Sequence, residues 1–83
     1  MIPLRDQLIC ISDSYCHAIG LSRSRVSTMI FNGGHVIDRI ANGGDLATGN
    51  FERAMRWFSD NWPVDTAWPE GIARPAPRPE EAA

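Results

Sequence analysis

Lysine is absent from this chain of 83 residues. It contains eight arginines and ten acidic residues, and its formal net charge is -2. Long apolar runs are also absent, because no apolar run approaches the length of about 20 residues needed to cross a bilayer. The first residues lack the basic region and apolar stretch of a signal peptide. We therefore expect no membrane segment and a cytoplasmic protein. The acidic balance at first sight argues against a nucleic-acid-binding protein.

Side chains suited to metal or acid-base chemistry are few. The two cysteines, Cys10 and Cys16, lack a CxxC spacing, and the two histidines, His17 and His35, lack a paired carboxylate. Cys10, Cys16 and His17 have no fourth metal ligand nearby, and no serine lies in a nucleophile-elbow pattern. We expect both cysteines to be small buried apolar side chains, and we predict no catalytic residue, no metal site and no cofactor.

Proline is unevenly distributed, because five of the six prolines lie in residues 63 to 83. This stretch has too few apolar residues to offset the entropy of ordering it. We predict one folded domain over residues 1–62 and a proline-rich, largely extended or disordered tail over residues 63–83. Trp68 and Ile72 are the large apolar exceptions in the tail. Either they fold back onto residues 1–62, the body of the protein, or they form a partner-binding arm.

Apolar residues in the body recur at helical spacing and no strand pattern competes, which predicts an all-α compact bundle of about five short helices. The first helix covers about residues 3–12, and the second runs from a cap at Asp13 or Ser14 to Ile19. A third begins after Ser22 and stops at residues 32–34, and a fourth lies before the similar glycine-rich turn at residues 42–44. The fifth is capped by Thr48 and has an apolar stripe, namely Phe51, Ala54, Met55, Phe58 and Trp62.

Residues 14–31 have the features of a helix-turn-helix. Gly20 lies where the turn needs a left-handed residue, and Cys16 lies where the second helix crosses closely and a small side chain is required. Ile19 and Leu21 flank the glycine and are expected to point inward. Ser22 caps the second helix, in which we expect Val26, Met29 and Ile30 to be buried.

This arrangement leaves an outward face that suits the major groove of DNA. Arginine can bond guanine in bidentate fashion, and small hydroxyls reach bases or phosphates. No acidic residue occurs from Ser14 to Val36. We expect Arg23 and Ser27 to contact base edges and His35 to reach a phosphate. The predicted DNA-binding residues are Ser22, Arg23, Ser24, Arg25, Ser27, Thr28, Phe31 and His35.

Residues 14–63 resemble small helix-turn-helix transcriptional regulators found in alphaproteobacteria, often near phage-derived or conjugative elements and loosely of the phage-repressor type. The resemblance is carried by Val26-Ser27-Thr28 in the second helix and by the segment that ends in Trp62-Pro63. It implies a protein that binds double-stranded DNA, regulates transcription and is associated with the nucleoid when bound. It does not extend to the proline-rich tail, and it implies no operator sequence.

Aromatic residues near the end of the body predict a homodimer. Trp57 lies off the apolar stripe, and Trp57, Trp62 and Trp68 are of the type found in buried interface centres. A two-fold dimer would place two recognition helices about 34 Å apart on a pseudo-palindromic operator.

Two other functions fit the same residues. One is a protein-interaction module, such as an antiactivator or antitoxin-like partner, that uses the fifth helix or the tail. The other is an excisionase-type architectural DNA binder, which shares the motif but bends DNA.

Overall fold

The structure, a computed structural model, describes residues 2–75. It contains four helices: α1 (Leu4–Ile19), α2 (Arg23–Phe31), α3 (Val36–Ala41) and α4 (Thr48–Asn61). No strand occurs within residues 2–75. The predicted all-helical class is confirmed, and the described part of the chain has four helices rather than about five.

The difference lies in α1, which is continuous where the sequence predicted two helices. Leu8, Ile11 and Tyr15 are all buried and form one apolar stripe through the expected break. Ser12 is buried within the helix, and its Oγ donates a hydrogen bond to the Leu8 carbonyl at 2.7 Å. Asp13 points outward and pairs with Arg23. Residues that favour caps are thus accommodated inside a helix, because the packing of the stripe outweighs their local preference.

The ends of α1 and α2 follow the sequence expectations. Gly20 ends α1 with a left-handed φ of 73° and its N–H bonds to the Cys16 carbonyl. Ser22 caps α2 by accepting a hydrogen bond from the Arg25 amide, and Asn32 ends α2 with a φ of 58°. These predictions are confirmed. Thr48, in contrast, is the first residue of α4 and not its cap, since Ala47 occupies the cap position without a side-chain hydrogen bond.

The core lies where α1 and α4 meet the α2–α3 pair, and each of these helices contacts at least two others. The stripe predicted on α4 is confirmed, because Ala54, Met55 and Phe58 are buried and Phe51 packs against the core. The buried apolar residues are Leu8, Ile11, Tyr15, Val26, Ile30, Ile37, Ile40, Ala54, Met55, Phe58, Trp62 and Ile72.

Residues 62–75 form neither helix nor strand, yet they pack back onto the helices. The Trp62 and Trp68 ring centroids lie 4.8 Å apart, and the Trp68 Nε1 donates to the Ile72 carbonyl at 2.8 Å. Ile72 is buried, and Arg74 lies over the Trp68 ring while its Nη2 donates to the Ser59 carbonyl at 2.9 Å. The folded unit therefore continues past the predicted boundary at residue 62. The part of the predicted tail after Pro75 lies outside the described residues.

Replacing Ile72 by alanine tests whether this segment contributes to stability. We expect Ile72→Ala to lower the free energy of unfolding by about 2 kcal/mol, because it removes a buried side chain and leaves a cavity. Val64→Ala is the matched control, since Val64 is fully exposed in the same segment and its loss should change little. Denaturant unfolding of both variants measures the difference, and equal stabilities would show that the segment does not stabilise the fold.

Candidate nucleic-acid interface

One side of α2 is exposed and free of acidic residues. Ser24, Arg25, Thr28 and Met29 are exposed along this side, which we call the α2 face. The opposite side of the helix is buried in the core. Since successive residues of a helix are rotated by about 100°, these four side chains form one continuous surface. The face is mostly polar, and Arg25 is its one charged group.

Arg25 extends from the α2 face towards solvent. Its side chain makes no hydrogen bond or ion pair with another of residues 2–75, and its backbone amide donates to the Ser22 Oγ at the helix cap. A guanidinium in this position keeps all of its donors for an external acceptor. Arginine forms bidentate bonds with guanine or phosphate through the fixed fork of its N–H donors.

Arg23, predicted from the sequence to contact base edges, is held within the fold. Its Nη2 lies 2.9 Å from an Asp13 carboxylate oxygen and its Nη1 lies 3.0 Å from an Asp38 oxygen. Its Nε also bonds to Asp13 at 3.2 Å, so the α1 carboxylate is bound in bidentate fashion. The guanidinium therefore joins α1, α2 and α3. The hydrogen bonds that its guanidinium donates to Asp13 and then to Asp38 raise the pKa of Arg23 above its usual value, which keeps the side chain charged.

Ser27, expected to face outward, is fully buried, so that expectation is wrong. Its Oγ donates to the Gly33 carbonyl and accepts from the amides of Val36 and Ile37 at 3.1 and 3.3 Å. The amides at the start of a helix lack partners within the helix, and His35 in the cap position supplies no side-chain bond to them. Ser27 satisfies them across the α2–α3 junction.

Met29 and Ile19 depart from the predicted pattern of burial, whereas Ile30 follows it. Ile30 is buried as expected, whereas the Met29 side chain is 46% exposed. Ile19 is also exposed, and Leu21 packs partly against the core. The interior side of α2 is centred on Val26, Ser27 and Ile30, and Met29 lies outside that arc.

The other predicted contact residues lie near the α2 face. The Thr28 Oγ1 donates to the Ser24 carbonyl at 3.1 Å, and Ser24 Oγ makes no hydrogen bond with another of the described residues. Gly34 lies against both side chains: a Cβ there would be 3.0 Å from Ser24 Oγ. The loop before α3 thus borders the α2 face, and the exposed His35 follows directly. Phe31 is half-buried against the core.

The three tryptophans assigned to a dimer interface contact other parts of the same chain. Trp57 packs edge-on against Tyr15 at 5.3 Å, and Trp62 is buried beside the same ring. Trp68 packs on Trp62 and bonds to Ile72. These aromatic residues therefore stabilise the monomer fold. The sequence does not distinguish these two roles, because an aromatic cluster within one chain and a dimer interface use the same residue types.

The cysteines do not share one environment. Cys10 is exposed, so the expectation that it is buried is wrong, whereas Cys16 is half-buried against the core. Burial, and secondarily the Asp13 carboxylate, raises the pKa of the Cys16 thiol above its usual value. Cys16 therefore stays a protonated thiol at neutral pH, and it contributes packing rather than nucleophilic chemistry.

No family model, curated protein or solved structure matches this chain. Within residues 2–75, no helix is long and apolar enough to cross a membrane, and no cluster of three or more His, Cys, Asp or Glu side chains is arranged for a metal ion. The geometry of the α2 face is the basis for assigning a function.

Replacing Ser27 by alanine tests its role at the α2–α3 junction. We expect Ser27→Ala to lower the free energy of unfolding by about 1–3 kcal/mol, because two amides at the start of α3 lose their acceptor. The control is Ser24→Ala on the exposed side of the same helix, for which we expect a change within about 0.5 kcal/mol. Urea unfolding of the two variants makes the comparison. Similar stabilities would contradict the structural role of Ser27.

Proposed function

We propose that this chain is a sequence-specific double-stranded DNA-binding protein that regulates transcription by placing α2 in the major groove of an operator. The observation that carries the proposal is the α2 face, an exposed acid-free surface on a helix that follows a Gly20 turn and a Ser22 cap. In a helix-turn-helix the second helix contacts base edges.

The side chains of the α2 face suit a close approach to DNA. Ser24 and Thr28 are short, so the backbone of α2 can come near the floor of a groove about 12 Å wide. Their hydroxyls can donate to or accept from base edges and phosphates. Arg25 supplies the charged contact, and the free amides at the start of α2 favour a phosphate nearby.

The structure changes the roles of individual residues in this proposal. Arg23 becomes a positioning residue, because its guanidinium is bound to Asp13 and Asp38 and fixes α2 relative to its neighbours. Arg25 takes the main contact with a guanine or a phosphate. His35 borders the face, where it can reach the DNA backbone. Ser27 has no contact with DNA in this account.

The acidic balance of the chain does not oppose the proposal. The formal net charge of -2 belongs to residues 63–83, and residues 1–62 are neutral by the same count. The α2 face itself is positive through Arg25. Affinity depends on the local potential at the contact surface, because salt screens charges more than about 10 Å away at an ionic strength of about 0.1 M.

A homodimer on an inverted repeat remains part of the proposal, in keeping with the resemblance to phage-repressor-type regulators. The tryptophan cluster is engaged within the chain, so the proposal assigns the dimer no residues. The symmetry of the preferred DNA site reports on the assembly, since a two-fold dimer selects an inverted repeat and a monomer selects a single half-site.

The test begins with selection of bound duplexes from a random-sequence library, followed by affinity measurements on the enriched site. We expect Arg25→Ala to weaken binding by about 10- to 100-fold, because a bidentate arginine contact contributes about 1–3 kcal/mol of discrimination. If Arg25 contacts a phosphate instead, the slope of log K against log salt should fall by about 0.9. Arg53→Ala is the control, because it removes the same charge from an exposed position on α4.

Two results would contradict the proposal at different levels. If the wild-type protein enriches no sequence and retains no duplex at about 50 mM salt, where phosphate contacts are strong, the chain does not bind DNA. If DNA is bound and Arg25→Ala behaves like Arg53→Ala, the binding surface lies elsewhere than on the α2 face.

A further inference from the structure

Met29 is an exposed apolar side chain on a surface that is otherwise polar. It is 46% exposed on the α2 face, one helical turn after Arg25 and next to Thr28. Burying a methionine completely would contribute about 1.5–3 kcal/mol, and the neighbouring Val26 and Ile30 do obtain that contribution in the core. The fold leaves Met29 on the surface proposed to contact DNA.

We infer that Met29 contacts the C5-methyl group of a thymine in the major groove and makes that thymine a determinant of the preferred site. The inference rests on the proposed function, since it requires α2 to lie in the groove. It is carried by the position of Met29 on the same exposed side as Arg25, Ser24 and Thr28.

The chemistry of the groove selects thymine. Guanine, cytosine and adenine present only hydrogen-bonding groups on their major-groove edges, whereas thymine adds a methyl group that favours apolar contact. Methionine is unbranched and polarisable, so its thioether adapts to an irregular apolar surface. On a face that carries both side chains, the methionine therefore favours thymine at one position and the arginine favours guanine at another.

The spacing on α2 predicts where the thymine lies. Arg25 and Met29 are one turn apart, which is about 5.4 Å along the helix. Stacked bases are about 3.4 Å apart along a strand, so the thymine should lie about one or two base pairs from the base or phosphate that Arg25 contacts.

Deoxyuridine substitution provides the experiment, because it removes only the thymine methyl group and keeps the base pair. Each thymine of the selected site is replaced in turn, and affinity is measured for the wild-type protein, Met29→Ala and Met29→Leu. For the wild type we expect one position to lose about fourfold in affinity, which corresponds to about 0.8 kcal/mol for one buried methyl group.

The variants separate a methyl contact from a general loss of binding. Met29→Ala should bind more weakly and show no loss at the sensitive position when uracil replaces thymine. Met29→Leu should keep the loss, because it restores an apolar side chain of similar volume. Since Met29 is exposed, both variants should unfold at the same denaturant concentration as the wild type.

The outcomes that overturn the inference differ from those that overturn the proposed function. If the wild type binds no duplex, both fail. If it binds a selected site and no thymine is sensitive, or if the sensitive thymine stays sensitive in Met29→Ala, only the role of Met29 fails. A change from dimer to monomer in Met29→Ala, measured by sedimentation, would assign the side chain to an interface between copies of the chain and would also overturn the inference.

Discussion

The hydroxyl of Ser27 is the contact on which the arrangement of α2 and α3 depends. Three backbone groups from the loop and from the start of α3 bond to this one buried oxygen. Buried polar groups must be paired, so the hydroxyl fixes which side of α2 faces inward. Val26 and Ile30 then enter the core on the same side, and Ser24, Arg25, Thr28 and Met29 remain outside. The proposed recognition surface is a consequence of what the opposite side of the helix has to satisfy.

The arginines of this lysine-free chain differ in whether their side chains have partners within the fold. Arg23 connects three helices through two carboxylates, and Arg74 closes the C-terminal segment over Trp68. Both use the planar guanidinium, which makes several directed bonds at once. Arg25 has the same chemistry and is presented to solvent. The role of an arginine in such a motif is therefore ambiguous until its partners are known. Here the carboxylates of Asp13 on α1 and Asp38 on α3 hold Arg23 within the fold.

Much of the fold could be predicted from local sequence, and the site only in part. The turn at Gly20, the Ser22 cap and the stripe on α4 depend on nearby residues, so spacing was sufficient. The continuity of α1 was missed because Ser12 bonds back to Leu8 inside the helix. The burial of Ser27 depends on α3, which lies across a loop whose path local patterns do not specify. The partners of Arg23 are likewise distant in sequence, and no local signal identifies them.

The most direct test of the account maps the surface that meets DNA. Isotope-labelled protein is titrated at low salt with a short mixed-sequence duplex, and backbone amide shifts are followed by NMR; no operator is required, since non-specific binding depends on phosphate contacts. The account predicts that the largest shifts occur from the turn at Gly20 through α2 to His35. The largest shifts on α4 or on residues 62–75, or no shifts at all, would contradict it.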